Sequence, residues 1–224
     1  MSLGTNLGTN LDKRLTAIAT PPDIGAALSF APELLLRAQG PGLGMRAAIF
    51  DVDGVLTDGR LFIGEQGELF KAFHVLDGHG LKLLQQAGIA VIVITGRDSS
   101  AVRRRIDDLG LGAHAHYGVA DKLACAGAIL AALNVCWDEV AVIGDDWPDL
   151  PLLGRAGLAC APPQAHAEVR ALAHHITAAG GGAGAAREMC DLLLMASGRY
   201  AELLRASVAG PATAQALGST LDSR

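Results

Sequence analysis

The side chains able to do chemistry fall in four short segments. The first is Phe50-Asp51-Val52-Asp53-Gly54-Val55-Leu56-Thr57-Asp58-Gly59, which closes an apolar run. Asp51 and Asp53 stand so close that their like charges drive one pKa up unless a cation neutralises them, and oxygen ligands suit Mg²⁺. Asp58 reads equally well as a turn cap. The second segment, Ile94-Thr95-Gly96-Arg97, offers a hydroxyl and free backbone N–H groups at the start of a helix, where a phosphate oxygen can be cradled. Alone, Thr-Gly is also an ordinary strand-to-helix turn. In the third, Lys122 follows Asp121 at another helix start, a position the helix dipole makes unfavourable for a cation. The misplaced charge is explained if Lys122 faces a phosphate or the Asp51 carboxylate; otherwise it is a surface lysine. The fourth, Ile143-Gly144-Asp145-Asp146-Trp147-Pro148-Asp149, packs three carboxylates into five residues. By itself that is a capped turn. Together with Asp51 and Asp53 it completes an oxygen-rich site, because Mg²⁺ takes a few carboxylates and leaves its other positions to water or phosphate.

These segments need a scaffold that brings them to one place. From residue 46 onward, short apolar runs alternate with amphipathic stretches, as in βαβ units. Strands are expected at Ala47–Val52, Ile89–Ile94, His114–Tyr117, Val140–Ile143, Leu158–Cys160 and His175–Thr177. Ile89–Ile94 is apolar on both alternating sets and so should be central and covered on both faces. Helical spacing covers Gly78–Gln86, Ser99–Leu109, Lys122–Leu133, Leu150–Arg155, Ala165–Ala173 and Ala185–Met195. The fold class is α/β, a doubly wound, mainly parallel sheet, and in such sheets ligands bind at the carboxyl ends of the strands. All four segments follow an expected strand or open a helix at that end. One stretch breaks the alternation: Arg60–Ile63 and Glu68–Phe73 flank Gly64-Glu65-Gln66-Gly67, which predicts a β-hairpin (60–73) inserted after strand one, with no large cap domain.

Residues 1–44, rich in Gly, Thr, Asn and Pro, read as a partly disordered N-terminal extension with one short helix within Ile24–Leu36, and Met45 reads as an alternative start. Residues 45–195 form the main domain, and 196–224 a C-terminal helix and tail.

Composition narrows the function classes. The 224 residues are 50% hydrophobic and 18% charged, so the chain buries a core. Only nine residues are aromatic (5 Phe, 2 Trp, 2 Tyr), which favours helices on a sheet over an all-β sandwich. A net charge of −5 gives no broad basic surface, so nucleic acid is not expected as a partner. Cys125, Cys136, Cys160 and Cys190 form no C-x-x-C pair and read as reduced, buried thiols. No membrane span and no secretion signal are read, which makes the cytoplasm the expected compartment.

The order Asp-x-Asp-Gly-x-x-x-Asp, Thr-Gly-Arg, Lys, then Gly-Asp-Asp-x-x-Asp resembles the haloacid dehalogenase-like phosphohydrolases. Within them the chain is similar to the 3-deoxy-D-manno-octulosonate 8-phosphate (KDO 8-phosphate) phosphatases. The likeness runs through Phe50–Gly59, the Gly-Glu-Gln-Gly-Glu hairpin, Lys71-Ala-Phe-His-Val-Leu-Asp77-Gly, Asp121-Lys122-Leu, Gly144–Asp149 and Arg187-Glu188, about residues 46–195. The resemblance implies that Asp51 takes the phosphoryl group as an aspartyl phosphate, while Asp53 protonates the leaving alkoxide and then deprotonates water. It implies Mg²⁺ on the Asp51 side chain, the Asp53 carbonyl and Asp145, with Asp146 or Asp149 supporting. Thr95 and Lys122 would hold the phosphoryl oxygens, alongside Asp53, Gly54, Gly96 and Arg97. It further implies a phosphorylated sugar acid as substrate, a place in KDO and lipopolysaccharide biosynthesis, and a homotetramer built through hairpin 60–73. The chain departs from the family pattern at Leu76, Gly180 and Ala183, where cations are usual. Arg60, Arg97 and Arg187 are the candidates to replace them. A nonulosonate 9-phosphate is therefore the alternative substrate, and a phospho-accepting receiver-like signalling domain the alternative class.

Overall fold

A computed structural model of the chain describes residues 28–42 and 44–209. Its elements run α1 (Pro32–Gln39), β1 (Ala47–Phe50), β2 (Phe62–Gly64), β3 (Gly67–Phe70), α2 (Val75–Gln86), β4 (Ala90–Ile94), α3 (Ser100–Leu109), β5 (Ala115–His116), α4 (Lys122–Leu133), β6 (Val140–Ile143), α5 (Leu150–Leu153), β7 (Leu158–Ala161), α6 (Ala167–Leu172), β8 (His175–Ile176), α7 (Ala185–Ala196) and α8 (Tyr200–Ala209). Six strands pair in parallel in the order β5-β4-β1-β6-β7-β8. The chain winds outward from β1 in both directions, and that reversal opens a crevice at the carboxyl ends of β1, β4 and β6.

Both faces of the sheet are covered. Ala47 and Ile49 of β1, Ile92 and Ile94 of β4, and Val140 and Val142 of β6 join Ala126, Ile129 and Leu130 of α4 and Leu152 and Leu153 of α5 in one core. Alternation sends Ala48 and Phe50 to the opposite face, where α2 lies against β4 and packs on α7. Every residue of β1, β6 and β7 is buried, which explains their uninterrupted apolar runs.

The inserted hairpin is separate from this sheet. β2 and β3 pair antiparallel, and the rings of Phe62 and Phe70 stack with centroids 4.4 Å apart. Leu61, Ile63, Leu69 and Phe70 are exposed, as are Val75 and Leu76 at the start of α2.

Several boundaries differ from the sequence reading. Helix α2 begins at Val75 rather than Gly78, and Gly78 and Gly80 lie inside it as contact points. A Cβ at Gly78 would stand 2.3 Å from Arg105 Nη2, and one at Gly80 would stand 3.1 Å from Cys190 Cβ. Asp77, in the first turn of α2, accepts the backbone N–H of Arg187 at 2.8 Å and ties α2 to α7. The short helix sought within Ile24–Leu36 is instead α1, with Pro32 in its first turn, and it packs against α7. Cys136 is exposed, not buried, while Cys160 and Cys190 are buried and all four thiols are free. The expected disorder of the first ~20 residues and the tail after Gly210 lie outside the described residues. Residues 30–197 form one compact unit, and helix α8 belongs to a second. Among the described residues no helix is long and apolar enough to cross a membrane.

Candidate active site

Parallel register brings three of the four segments together. Phe50 of β1 pairs with Val93 of β4 and with Ile143 of β6, so Asp51 and Gly144 leave adjacent strands at the same height and Thr95 follows one residue further along β4. Asp51 N–H donates to the Ile143 carbonyl at 3.2 Å. The loop after β5 returns to this end through Val119, whose N–H donates to the Thr95 carbonyl at 3.0 Å, and α4 then starts at Lys122.

Lys122 is buried, and its Nζ donates to Asp51 Oδ1 at 2.8 Å and to Asp149 Oδ1 at 2.7 Å. The other oxygen of Asp149 accepts the backbone N–H groups of Asp145 at 3.1 Å and Asp146 at 3.4 Å, so Asp149 folds the turn after β6 back over the site. Gly54, at φ +90°, lets the first loop approach Asp145: a Cβ there would stand 2.0 Å from Asp145 Oδ2. Thr57 Oγ1 supports that loop, accepting from Gly54 N–H at 3.4 Å and donating to the Val52 carbonyl at 3.3 Å.

One carboxylate oxygen from each of Asp51, Asp145 and Asp149 lies within 4.8 Å of the others. Burial, reinforced by the charge of Asp149 and opposed by Lys122, pushes the Asp51 carboxyl up to about 8. Burial, then the charges of Asp149 and Asp146, push Asp145 up to about 7. For Lys122, burial works against the charged form, but Asp51 and Asp149 outweigh it and raise its pKa. Two buried carboxylates, Asp51 and Asp149, and the partly buried Asp145 beside one cation are short of positive charge. The donor set is all oxygen, with no His or Cys in the cluster, so it fits a hard divalent cation such as Mg²⁺.

Asp53 lies apart from this cluster. Its Oδ1 pairs with Lys71 Nζ, from the exit of the hairpin, and its Oδ2 stands 3.7 Å from Arg97 Nε. Arg97 is half exposed and Gly96 exposed, while Thr95 is buried with its Oγ1 accepting Arg97 N–H at 3.4 Å. Asp146 is exposed beside the cluster. Of the arginines offered as replacement cations, Arg97 is at Asp53, Arg60 pairs with Asp58 at 3.5 Å, and Arg187 Nε pairs with Asp191 Oδ1 at 2.8 Å.

Sequence reasoning assigned no site role to Lys71, Glu68 or Gln164. Gln164 donates to the Gly54 carbonyl at 2.8 Å and accepts Gly181 N–H at 3.1 Å, joining the glycine-rich 180–184 loop to the aspartate loop. Nothing in its local sequence marks it. Lys71 and Glu68 had one signal, two opposite charges in a hairpin otherwise apolar on that strand.

The profile of the haloacid dehalogenase-like hydrolases matches residues 116–189. The chain is 43% identical over 152 residues to the KDO 8-phosphate phosphatase of Yersinia pestis, covering 68% of this chain and 81% of that protein. Among solved structures it resembles the KDO 8-phosphate phosphatase of Moraxella catarrhalis in complex with magnesium ion, phosphate ion and KDO. The TM-score is 0.73 at 36% identity, over 78% of this chain and 98% of that one. It also resembles the cobalt-bound form of the Haemophilus influenzae enzyme, with a TM-score of 0.68 at 39% identity over 74% and 93% of the two chains.

Proposed function

The chain belongs to the KDO 8-phosphate phosphatase family of the haloacid dehalogenase-like hydrolases, and on that footing we propose that it is a Mg²⁺-dependent phosphatase whose substrate is KDO 8-phosphate. The observation that carries this reading is the buried Lys122, bonded at once to Asp51 and Asp149 beside Asp145. A phosphoryl group is met here by a nucleophilic carboxylate, a fixed cation and an oxygen-only metal site.

Asp51 attacks phosphorus and becomes an aspartyl phosphate, which splits the displacement into two easier steps. Asp53 gives its proton to the leaving sugar alkoxide and later removes one from the water that hydrolyses the acyl phosphate. Lys122 and the Thr95 hydroxyl hold the equatorial phosphoryl oxygens, with Gly54, Gly96 and Arg97 lining the rest of the phosphate site. The Asp51 and Asp145 side chains and the Asp53 carbonyl hold Mg²⁺, with Asp149 and Asp146 supporting them. When bound, Mg²⁺ supplies the positive charge that the carboxylates and the phosphate share.

A related substrate, a nonulosonate 9-phosphate or another phosphorylated sugar acid, is favoured by one observation: Leu76 and Ala183 are exposed apolar residues at positions where the family usually has cations. The receiver-like alternative is set aside by the family relationship. We infer further that the enzyme acts in the cytoplasm and assembles as a homotetramer through hairpin 60–73, whose Leu61, Ile63, Leu69 and Phe70 are exposed in the single chain.

The test is a panel of phosphorylated sugar acids assayed with and without Mg²⁺. KDO 8-phosphate should be hydrolysed fastest, EDTA should abolish turnover, and added Mg²⁺ should restore it. A rate unchanged by chelation would remove the metal assignment, and faster hydrolysis of a nonulosonate 9-phosphate would move the substrate to the second reading.

A further inference from the structure

The mechanism above uses Asp53 as acid and base but leaves open what orients it. Asp53 lies on a loop, and a lone carboxylate there would sample several rotamers. Lys71, whose side chain is 1% exposed, reaches it from the inserted hairpin. The same Nζ is 3.2 Å from Glu68 Oε2, on β3. Glu68 in turn accepts a hydrogen bond from Ser99 Oγ and lies 3.7 Å from Arg97 Nη2. Ser99 is the N-cap of α3, its Oγ also accepting Val102 N–H at 3.4 Å. A closed ring of charges, Asp53, Lys71, Glu68 and Arg97, thus joins the aspartate loop, the hairpin and the β4–α3 turn.

We propose that Lys71 and Glu68 are positioning residues for Asp53, so that the hairpin sets the geometry of proton transfer within its own chain; this rests on the phosphatase reading given above. Burying a lysine is unfavourable unless it is paired, and the partners of Lys71 here are Asp53 and Glu68. With Oδ1 taken by Lys71, Oδ2 is the oxygen that remains to carry the transferred proton, since Arg97 Nε at 3.7 Å is beyond hydrogen-bond length. Glu68 links Lys71 and Arg97, and Ser99 ties Glu68 to the first turn of α3. Lys71 pairs with neither the acidic cluster of Asp51, Asp145 and Asp149 nor Arg97, so its effect belongs to the leaving-group proton and not to the attack on phosphorus, whereas Glu68 also meets Arg97 at the phosphate site.

That separation supplies the test. A sugar phosphate has a poor alkoxide leaving group and needs the acid, whereas 4-nitrophenyl phosphate departs without it. In Lys71→Met, kcat for the sugar phosphate should fall by about 10- to 100-fold, the size expected for a misplaced catalytic group. For the nitrophenyl ester it should fall by less than about threefold, with KM for both esters nearly unchanged. Asp53→Asn should show the same skew, and the double variant should lose no more than Asp53→Asn alone. Lys71→Arg should recover part of the loss, and Glu68→Gln should show the same skew at smaller size. If Lys71→Met does not fold by circular dichroism, Glu68→Gln and Lys71→Arg carry the comparison. Equal losses on the two esters, or losses that add in the double variant, would overturn the proposal and leave the phosphatase reading standing. Wild-type protein releasing phosphate from neither ester with Mg²⁺ would overturn both.

Discussion

Lys122 opens a helix, where the dipole disfavours a cation by about 0.3–1 kcal/mol. It stays because two carboxylates receive its Nζ, and those same carboxylates gain nothing from burial without it. Lys122→Met should therefore lower phosphate release at least about 100-fold with saturating Mg²⁺, since a fixed cation on the transferring group is removed. A loss of less than about tenfold would contradict its place on the phosphoryl oxygens. Gly54→Ala tests the neighbouring contact, because its Cβ would stand 2.0 Å from Asp145 Oδ2 at a backbone φ of +90°. Displacing Asp145 should raise the Mg²⁺ concentration for half-maximal activity about tenfold or more; an unchanged Mg²⁺ titration would mean that Asp145 is not a ligand. That Asp51 meets the Gly144–Asp149 segment was legible, because the paired Asp51 and Asp53 call for a cation and the second acidic segment completes an oxygen-rich site only beside them. The central place of Asp149, bonded to Lys122 and to two backbone N–H groups, was not, since its spacing alone reads as a cap. Gln164 was invisible, its partner Gly54 lying 110 residues away.

At the scale of elements, apolar runs predicted the six parallel strands to within two residues at each end. The helices expected at Ser99–Leu109, Lys122–Leu133, Leu150–Arg155, Ala165–Ala173 and Ala185–Met195 match as closely. The expected start of α2 at Gly78 falls three residues late, because Gly78 is an interior contact point of the helix and Val75 opens it. The hairpin was legible from its Gly-flanked turn, although its strands are shorter than expected, with a register shift between Phe62 and Ile63. That hairpin has too few residues to build a core of its own, and it leaves Ile63 and Leu69 exposed. Because Phe62 stacks on Phe70 within the hairpin, Ile63 is the cleaner place to probe assembly. Wild-type protein should run as the proposed tetramer by light scattering, and Ile63→Asp should leave the secondary structure intact and give smaller species. An unchanged mass, or a wild-type monomer at micromolar concentration, would refute assembly through this face.

Over the whole molecule, the acidic cluster of Asp51, Asp145 and Asp149 ties stability to pH and to metal. Asp51 is raised from 3.8 to about 8 and Asp145 from 3.8 to about 7. Between those limits the folded state binds protons that the unfolded chain has released, so the stability of metal-free protein falls as pH rises from about 4 to about 8. Mg²⁺ binds the ionised carboxylates and reverses that loss. The gain in melting temperature from Mg²⁺ should thus be larger near pH 8 than near pH 5.5, and a gain independent of pH would contradict a metal site on Asp51 and Asp145. The most direct test of the whole account is chemical. Wild-type protein turning over a phosphorylated sugar acid with Mg²⁺ is quenched in acid, digested and examined by mass spectrometry. The account predicts a phosphoryl group on the peptide that carries Asp51, at its side chain, and none in Asp51→Asn, which should release no phosphate. A phosphoryl group on another residue, or turnover by Asp51→Asn within tenfold of wild type, would contradict it.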